Sequence, residues 1–283
     1  MVLESLINPL RAEQRPFSLL LLGFAHCTVG LFLALWIFEE QASLIMIFLT
    51  AMAAIPLVYN TIKMEEEKDD TIASEKTLLK EHSKALLFFL FLFFGALIAF
   101  TLWYLVLPAS ITTLAFSTQT TTITNLNQQI TGNVISSTLF AKIFLNNLKV
   151  LIFCILFSFI YGFGAVFILT WNASVIGVAL GNFIKSHLST FASEVGFPQV
   201  SSYFYGVSLS LARYMVHGIP EIIAYIIGGF AGGIISVAVI RHQAGTKKFF
   251  HIFADAADLI FISIGFLLLA AVIEVWLTPM FFS

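Results

Sequence analysis

Charge is what this sequence has least of. Lys and Arg together number 14 and Asp and Glu 16 in 283 residues, or 11%, where a soluble domain carries roughly 25%. So few charged side chains cannot wet a chain this long, which excludes a soluble enzyme and a disordered protein. Neither sign is in excess: the formal net charge is −2, with no basic stripe to neutralise phosphates, so nucleic acid is not a partner. Cysteine occurs only as Cys27 and Cys154, both inside apolar runs. That excludes a disulfide framework and leaves both as small membrane-embedded hydrophobes. HExxH, GxSxG, a Walker loop and Cys/His pairs at zinc spacing are all missing. No catalytic residue, cofactor or metal is assigned from the sequence.

What is present is apolar: 59% of residues are hydrophobic and 31 are Phe. The runs are long and continuous rather than alternating, so they predict membrane-spanning helices and an all-α polytopic bundle rather than a barrel. The runs are Phe17–Phe38, Ala42–Ile62, Ala85–Leu107, Asn146–Trp171, Ile219–Ile240 and Ala256–Leu277. Lys and Arg mark cytoplasmic loops. Arg11 and Arg15 place the N-terminal 1–16 inside, and the five Lys of Lys63–Lys84 and the cluster Arg241, Lys247 and Lys248 also belong inside. Six crossings would put that last cluster outside, so a seventh is expected between Trp171 and Ile219. Asn172–His187 is read as a short span or a re-entrant helix, and Gly206–Ile240 as one element broken at Gly218 and Pro220. The expected plan is seven spans in a multi-pass cell-membrane protein, with the N-terminus cytoplasmic and the C-terminus external.

Four regions follow. Residues 1–16 are the cytoplasmic N-terminus. Residues 17–107 form a three-span part whose charged segment 63–84 reads as a solvated hairpin or short helix. Residues 108–145 read as an external Thr/Ser-rich loop followed by a helix lying on the membrane. Residues 146–283 are the membrane core. Trp36, Trp103, Trp171 and Trp276 fall near expected span ends, as an aromatic belt requires.

Any chemistry belongs where polar groups enter the bilayer, because charge there is costly and tends to be functional. Arg213, His217 and Glu221 are spaced i, i+4, i+8, one helix face if the helix is continuous, and Glu274 is their candidate partner from the last span. The cluster either forms a ligand or transport site or pins two helices together. Asn146, Asn147, Asn172 and Asn182 are polar span residues that suit hydrogen bonds between helices. Gly228/Gly232, Gly229/Gly233 and Gly177/Gly181 are GxxxG pairs, and Gly162 and Gly164 make a small-residue notch. Such pairs serve packing within one subunit or a homodimer contact.

The order Asn146-Asn147, Gly162 and Gly164, Asn172 and Gly177, His217-Gly218-Ile219-Pro220-Glu221 with Gly228, then Ile273-Glu274 with Thr278-Pro279 resembles the stage II sporulation protein M family over residues 146–279. Asn8-Pro9 and Arg15-Pro16 are similar to the start of its archaeal-type members, while the first hairpin and Lys63–Lys84 go beyond the short namesake. The resemblance implies a helical membrane fold and a non-enzymatic scaffold that, in the sporulating namesake, recruits cell-wall hydrolases during engulfment. The reading is therefore a scaffold or assembly protein of a membrane-remodelling or envelope complex, partnered by the lipid bilayer and other membrane or envelope proteins. A permease-like subunit for a small solute or lipid and an intramembrane hydrolase are the alternatives.

Overall fold

The computed structural model describes residues 16–71, 75–130, 136–159, 163–193, 197–240 and 245–282. The described elements are all helical: α1 Pro16–Ile37, a 3-10 turn Glu39–Gln41, α2 Ala42–Thr71, α3 Glu75–Val106, α4 Ala109–Ala115, α5 Ser117–Ile130, α6 Ser136–Ser158, α7 Phe163–Ser193, α8 Phe197–Ile240 and α9 Lys247–Val272. A π-turn, Ile273–Leu277, and α10 Thr278–Phe282 complete the chain. Seven helical stretches are long and apolar enough to cross a bilayer, as an all-α polytopic bundle requires. The helices alternate in direction. The Glu39–Gln41 turn, α4, α5 and the C-terminus share one end, where Ser43 Oγ donates to Thr118 Oγ1 at 2.6 Å. The ends of α2, α6 and α8 and the start of α9 share the other, where Ser236 Oγ donates to the Phe159 carbonyl at 3.2 Å.

The count of seven agrees with the sequence reading, but the partition differs. The expected span Asn146–Trp171 is divided between α6 and α7, which turn back on one another after Ser158. The residues 138–145, expected on the membrane surface, form the first part of the α6 span Thr138–Ser158. Gly164 sits against the Cβ and backbone of Phe157, a contact with no room for a side chain, and so permits the tight reversal. The expected short or re-entrant element, Asn172–His187, is accordingly the central part of the full-length helix α7. Trp171 therefore lies inside a span (Gly164–Ser186) instead of at its edge.

The expected break in α8 does not occur. The helix runs unbroken through Gly218 and Pro220 from Phe197 to Ile240. Pro220 still removes one donor, but proline is tolerated in membrane helices whose neighbours hold the chain, and α8 is the most enclosed of the seven, with 83% of its span window buried. The 108–145 stretch holds two helices besides the start of α6. Its Gln119 is fully buried, donating through Nε2 to the Ser43 carbonyl and to Ser174 Oγ, each at 3.2 Å. The last turn before α9 uses Gly245 with φ 83°, a left-handed conformation suited to glycine. Thr246 then caps α9, its Oγ1 accepting from the Phe249 amide at 3.1 Å.

Candidate functional site

Because α8 stays continuous, His217, Glu221 and Tyr225 follow one another at four-residue intervals. Tyr225, 1% exposed, donates from Oη to Glu221 Oε1 at 2.7 Å. Its backbone carbonyl accepts from Cys154 Sγ of α6 at 3.4 Å. The adjacent Ala224 carbonyl accepts from Ser263 Oγ of α9 at 2.8 Å. Glu274 is carried by the π-turn and lies within electrostatic range of both Glu221 and Tyr225. Two of the four expected cluster members, Glu221 and Glu274, are thus brought together. His217 stands one turn before Glu221 on the same helix face. Arg213 belongs to α8, but its side chain lies outside the described ones.

The position of Glu274 has a cause in the sequence. Pro279 has no N–H and its ring would strike the carbonyl four residues back, at Val275. The chain widens there into the π-turn, and the Ile273 carbonyl is taken by the Thr278 amide and by Thr278 Oγ1, the latter at 3.0 Å. Single π-turns within α-helices recur at functional sites, and this one places an acid opposite α8. Tyr225 was missed from the sequence, although its i+4 spacing from Glu221 was the available signal.

A second polar cluster, also missed, lies at the other end of the bundle. Glu65 and Glu66 are fully buried and His82 is 3% exposed, which corrects the reading of 63–84 as solvated throughout. Glu65 Oε2 sits 2.8 Å from His82 Nδ1, and Glu65 Oε1 accepts from Lys68 Nζ at 2.5 Å. The His82 ring meets Phe230 of α8 edge-on at 5.2 Å. The signal was periodic: Val58, Ile62, Glu65 and Glu66 continue one buried face of α2, and His82, Ala85 and Phe89 one face of α3.

The glycines pack within the chain. A side chain at Gly228 would meet Leu151 and Ser263, at Gly229 Ala165 and Cys154, at Gly232 the Ile155 backbone and at Gly233 Ile62. Gly177 lies on Phe100 and Thr101, and Gly181 on Tyr104. Gly162 lies outside the described residues. Of the asparagines, Asn182 Oδ1 accepts from Tyr104 Oη at 2.5 Å, and Asn172 Nδ2 donates to its own helix at Ile168. Asn147 is buried and its neighbour Asn146 exposed.

One cavity, between α1, α2, α3 and α7, is lined by His26, Cys27, Thr50 and Thr170 among others and encloses about 20 Å³, room for roughly one water. His26 Nδ1, on its wall, has no hydrogen-bond partner. Among the described residues, no three His, Cys, Asp or Glu are grouped to hold a metal ion.

The stage II sporulation protein M family matches residues 84–279, from the start of the α3 span through the π-turn to Pro279, further toward the N-terminus than the motifs alone suggested. No curated protein and no solved structure matches the chain. With more than two thirds of its length matched, the chain belongs to the stage II sporulation protein M family.

Proposed function

We propose that this family member is a non-enzymatic membrane scaffold that assembles other membrane or envelope proteins. The observation that carries the reading is the packing of α8. Its glycines meet α2, α6, α7 and α9, with Gly229 tight against Ala165 of α7 and Gly232 against the Ile155 backbone of α6. Helices seated so closely behave as one rigid body, whereas a transport path needs elements that part and close again. The water-sized cavity is lined by none of the Glu221–Glu274 residues. In this reading Tyr225, Glu221 and Glu274 join α8 to the end of α9, and the peripheral helices α1, α6 and α9 offer their outer faces to lipid and partners. The positive-inside rule places Arg11, Arg15 and Lys247 in the cytoplasm, with α4, α5 and the C-terminus outside the cell membrane.

A permease-like subunit is the second reading, favoured by one specific feature: two acids, Glu221 and Glu274, lie within electrostatic range of one another inside the spans Val216–Ile240 and Phe249–Met280. Affinity purification of the intact chain from its own cells in mild detergent separates the two. A stoichiometric membrane or envelope protein is expected; a stoichiometric ATPase in its place would overturn the scaffold reading.

A further inference from the structure

The α6 helix is the least enclosed of the seven spans, with 17% of its window buried. Its outer face would be ordinary lipid-facing surface if it were apolar, and toward Ser158 it is, with Ile152, Phe153 and Leu156 exposed. On the same face, however, stand Lys142, Asn146 and Lys149, all exposed and spaced at four and three residues. Among the described residues no carboxylate pairs with either lysine.

Depth decides what this means. The α6 span runs Thr138–Ser158. Lys142 is one turn from its start and can lift its ammonium to the membrane surface along its flexible stem. Lys149 cannot. It is 11 residues from one end and 9 from the other, roughly 16 and 14 Å at about 1.5 Å per residue, while a lysine stem reaches about 6 Å. Leu151, two residues on, packs against Gly228 near the middle of the α8 span Val216–Ile240, which places Lys149 independently at mid-depth. A lone charge there is disfavoured by roughly a hundredfold in insertion, and lipid phosphates do not descend that far.

The geometry points to the outer face of α6 as the docking surface for one membrane-spanning helix of another protein that carries a carboxylate at mid-bilayer depth, paired with Lys149. Charge complementarity selects the acid, and the flanking apolar residues at seam spacing select a helix as its carrier. A second copy of this chain fits less well. Its exposed acid in a comparable position, Asp258 of α9, lies five residues from Ser263, which shares the Gly228 layer with Leu151. Asp258 and Lys149 fall on opposite sides of that layer, about 10 Å apart along the helix axes.

The inference rests on the scaffold reading and names the class of partner. The test uses the full chain in phosphatidylcholine vesicles, labelled at Thr121→Cys, since Cys27 and Cys154 are buried. The probe is a labelled 21-residue Leu/Ala membrane peptide with one central Glu, beside the same peptide with Gln. Energy transfer should show the Glu peptide binding at least tenfold tighter than the Gln peptide. Lys149→Met should bring it down to the Gln level, while Lys142→Met leaves it within about threefold. Melting curves of Lys149→Met unchanged from the parent establish that the variant is folded, and Lys149→Glu should bind a central-Lys peptide instead. Equal binding of the Glu and Gln peptides, or binding indifferent to Lys149→Met, overturns the proposal. So does dimerisation in peptide-free vesicles that Lys149→Met abolishes, which would make the occupant a second copy. The scaffold reading survives any of these results, because only the copurification outcome bears on it.

Discussion

Tyr225 and Glu221 are joined by a 2.7 Å hydrogen bond along one turn of α8, and Glu274 approaches both from the π-turn. The bond is local to one helix, but its surroundings come from three: Cys154 of α6 and Ser263 of α9 each reach a carbonyl within the same turn.

Tyr225→Phe should therefore cost about 1.5–3 kcal/mol if the acceptor is charged and nearer 1 kcal/mol if it is neutral. Glu221→Gln keeps the shape and an acceptor oxygen, so as a structural clamp it should lose less than Tyr225→Phe. The double variant should be less damaged than the sum of the singles. Melting curves in detergent give the stability side, and complementation in cells the other. A Glu221→Gln protein that melts normally yet fails in cells would move the cluster from clamp to working site.

The Glu65–His82 pair permits a sharper test, because both partners are buried. Removing one side of a buried pair leaves the other uncompensated, with a loss of about 3–5 kcal/mol. Glu65→Ala, which takes the carboxylate from both His82 and Lys68, should lower the melting temperature by many degrees, and His82→Ala, after which Glu65 keeps Lys68, by fewer, whereas Lys84→Ala, whose bond to Glu81 is exposed, should leave it nearly unchanged. Similar melting of all three would mean that α2 and α3 are held by their apolar contacts alone.

The bundle was legible where the chemistry is monotonous. Runs such as Phe17–Phe38 and Ala85–Leu107 can only be spans, and the parity of basic loops required a seventh. The partition failed after Ser158, because the sequence Phe159-Ile160-Tyr161 is as apolar as the helix before it and only the close fit of Gly164 on Phe157 marks the reversal. The clusters divide similarly. Glu221 and Glu274 stood out as acids in apolar surroundings. Glu65 and His82 were hidden in Lys63–Lys84, a stretch of twelve Lys, Asp and Glu with Glu65 counted, where composition suggested water and only the face shared with Val58, Ile62 and Phe89 told otherwise. Gln119 was concealed by the same error in a segment rich in Thr.

Sidedness can be checked with single cysteines at Thr121, in α5, and at Lys247, which opens α9. An impermeant thiol reagent on sealed cells should label Thr121→Cys and spare Lys247→Cys until the membrane is opened. Labelling of both from outside would remove one crossing between them and with it the seven-span plan. Labelling of Lys247→Cys alone would keep the bundle and invert its orientation.

Two glycines of α8 should respond in opposite ways to the same kind of change. Gly232 faces the Ile155 backbone, with a side chain there meeting the carbonyl at 2.9 Å. Gly232→Leu must therefore push α6 away. Overpacking of this kind costs about 1–3 kcal/mol and sometimes more, and the variant should melt early or fail to accumulate. A folded variant that merely changes from dimer to monomer would instead place Gly232 at an interface between copies. Gly218 has nothing within 4 Å of a built side chain and sits in a continuous helix. Gly218→Ala removes backbone freedom without a clash and should stabilise by roughly 0.5–1 kcal/mol. A loss of stability there would mean that α8 needs a hinge at Gly218 and Pro220, and it would reopen the broken-helix reading that the transport alternative depends on.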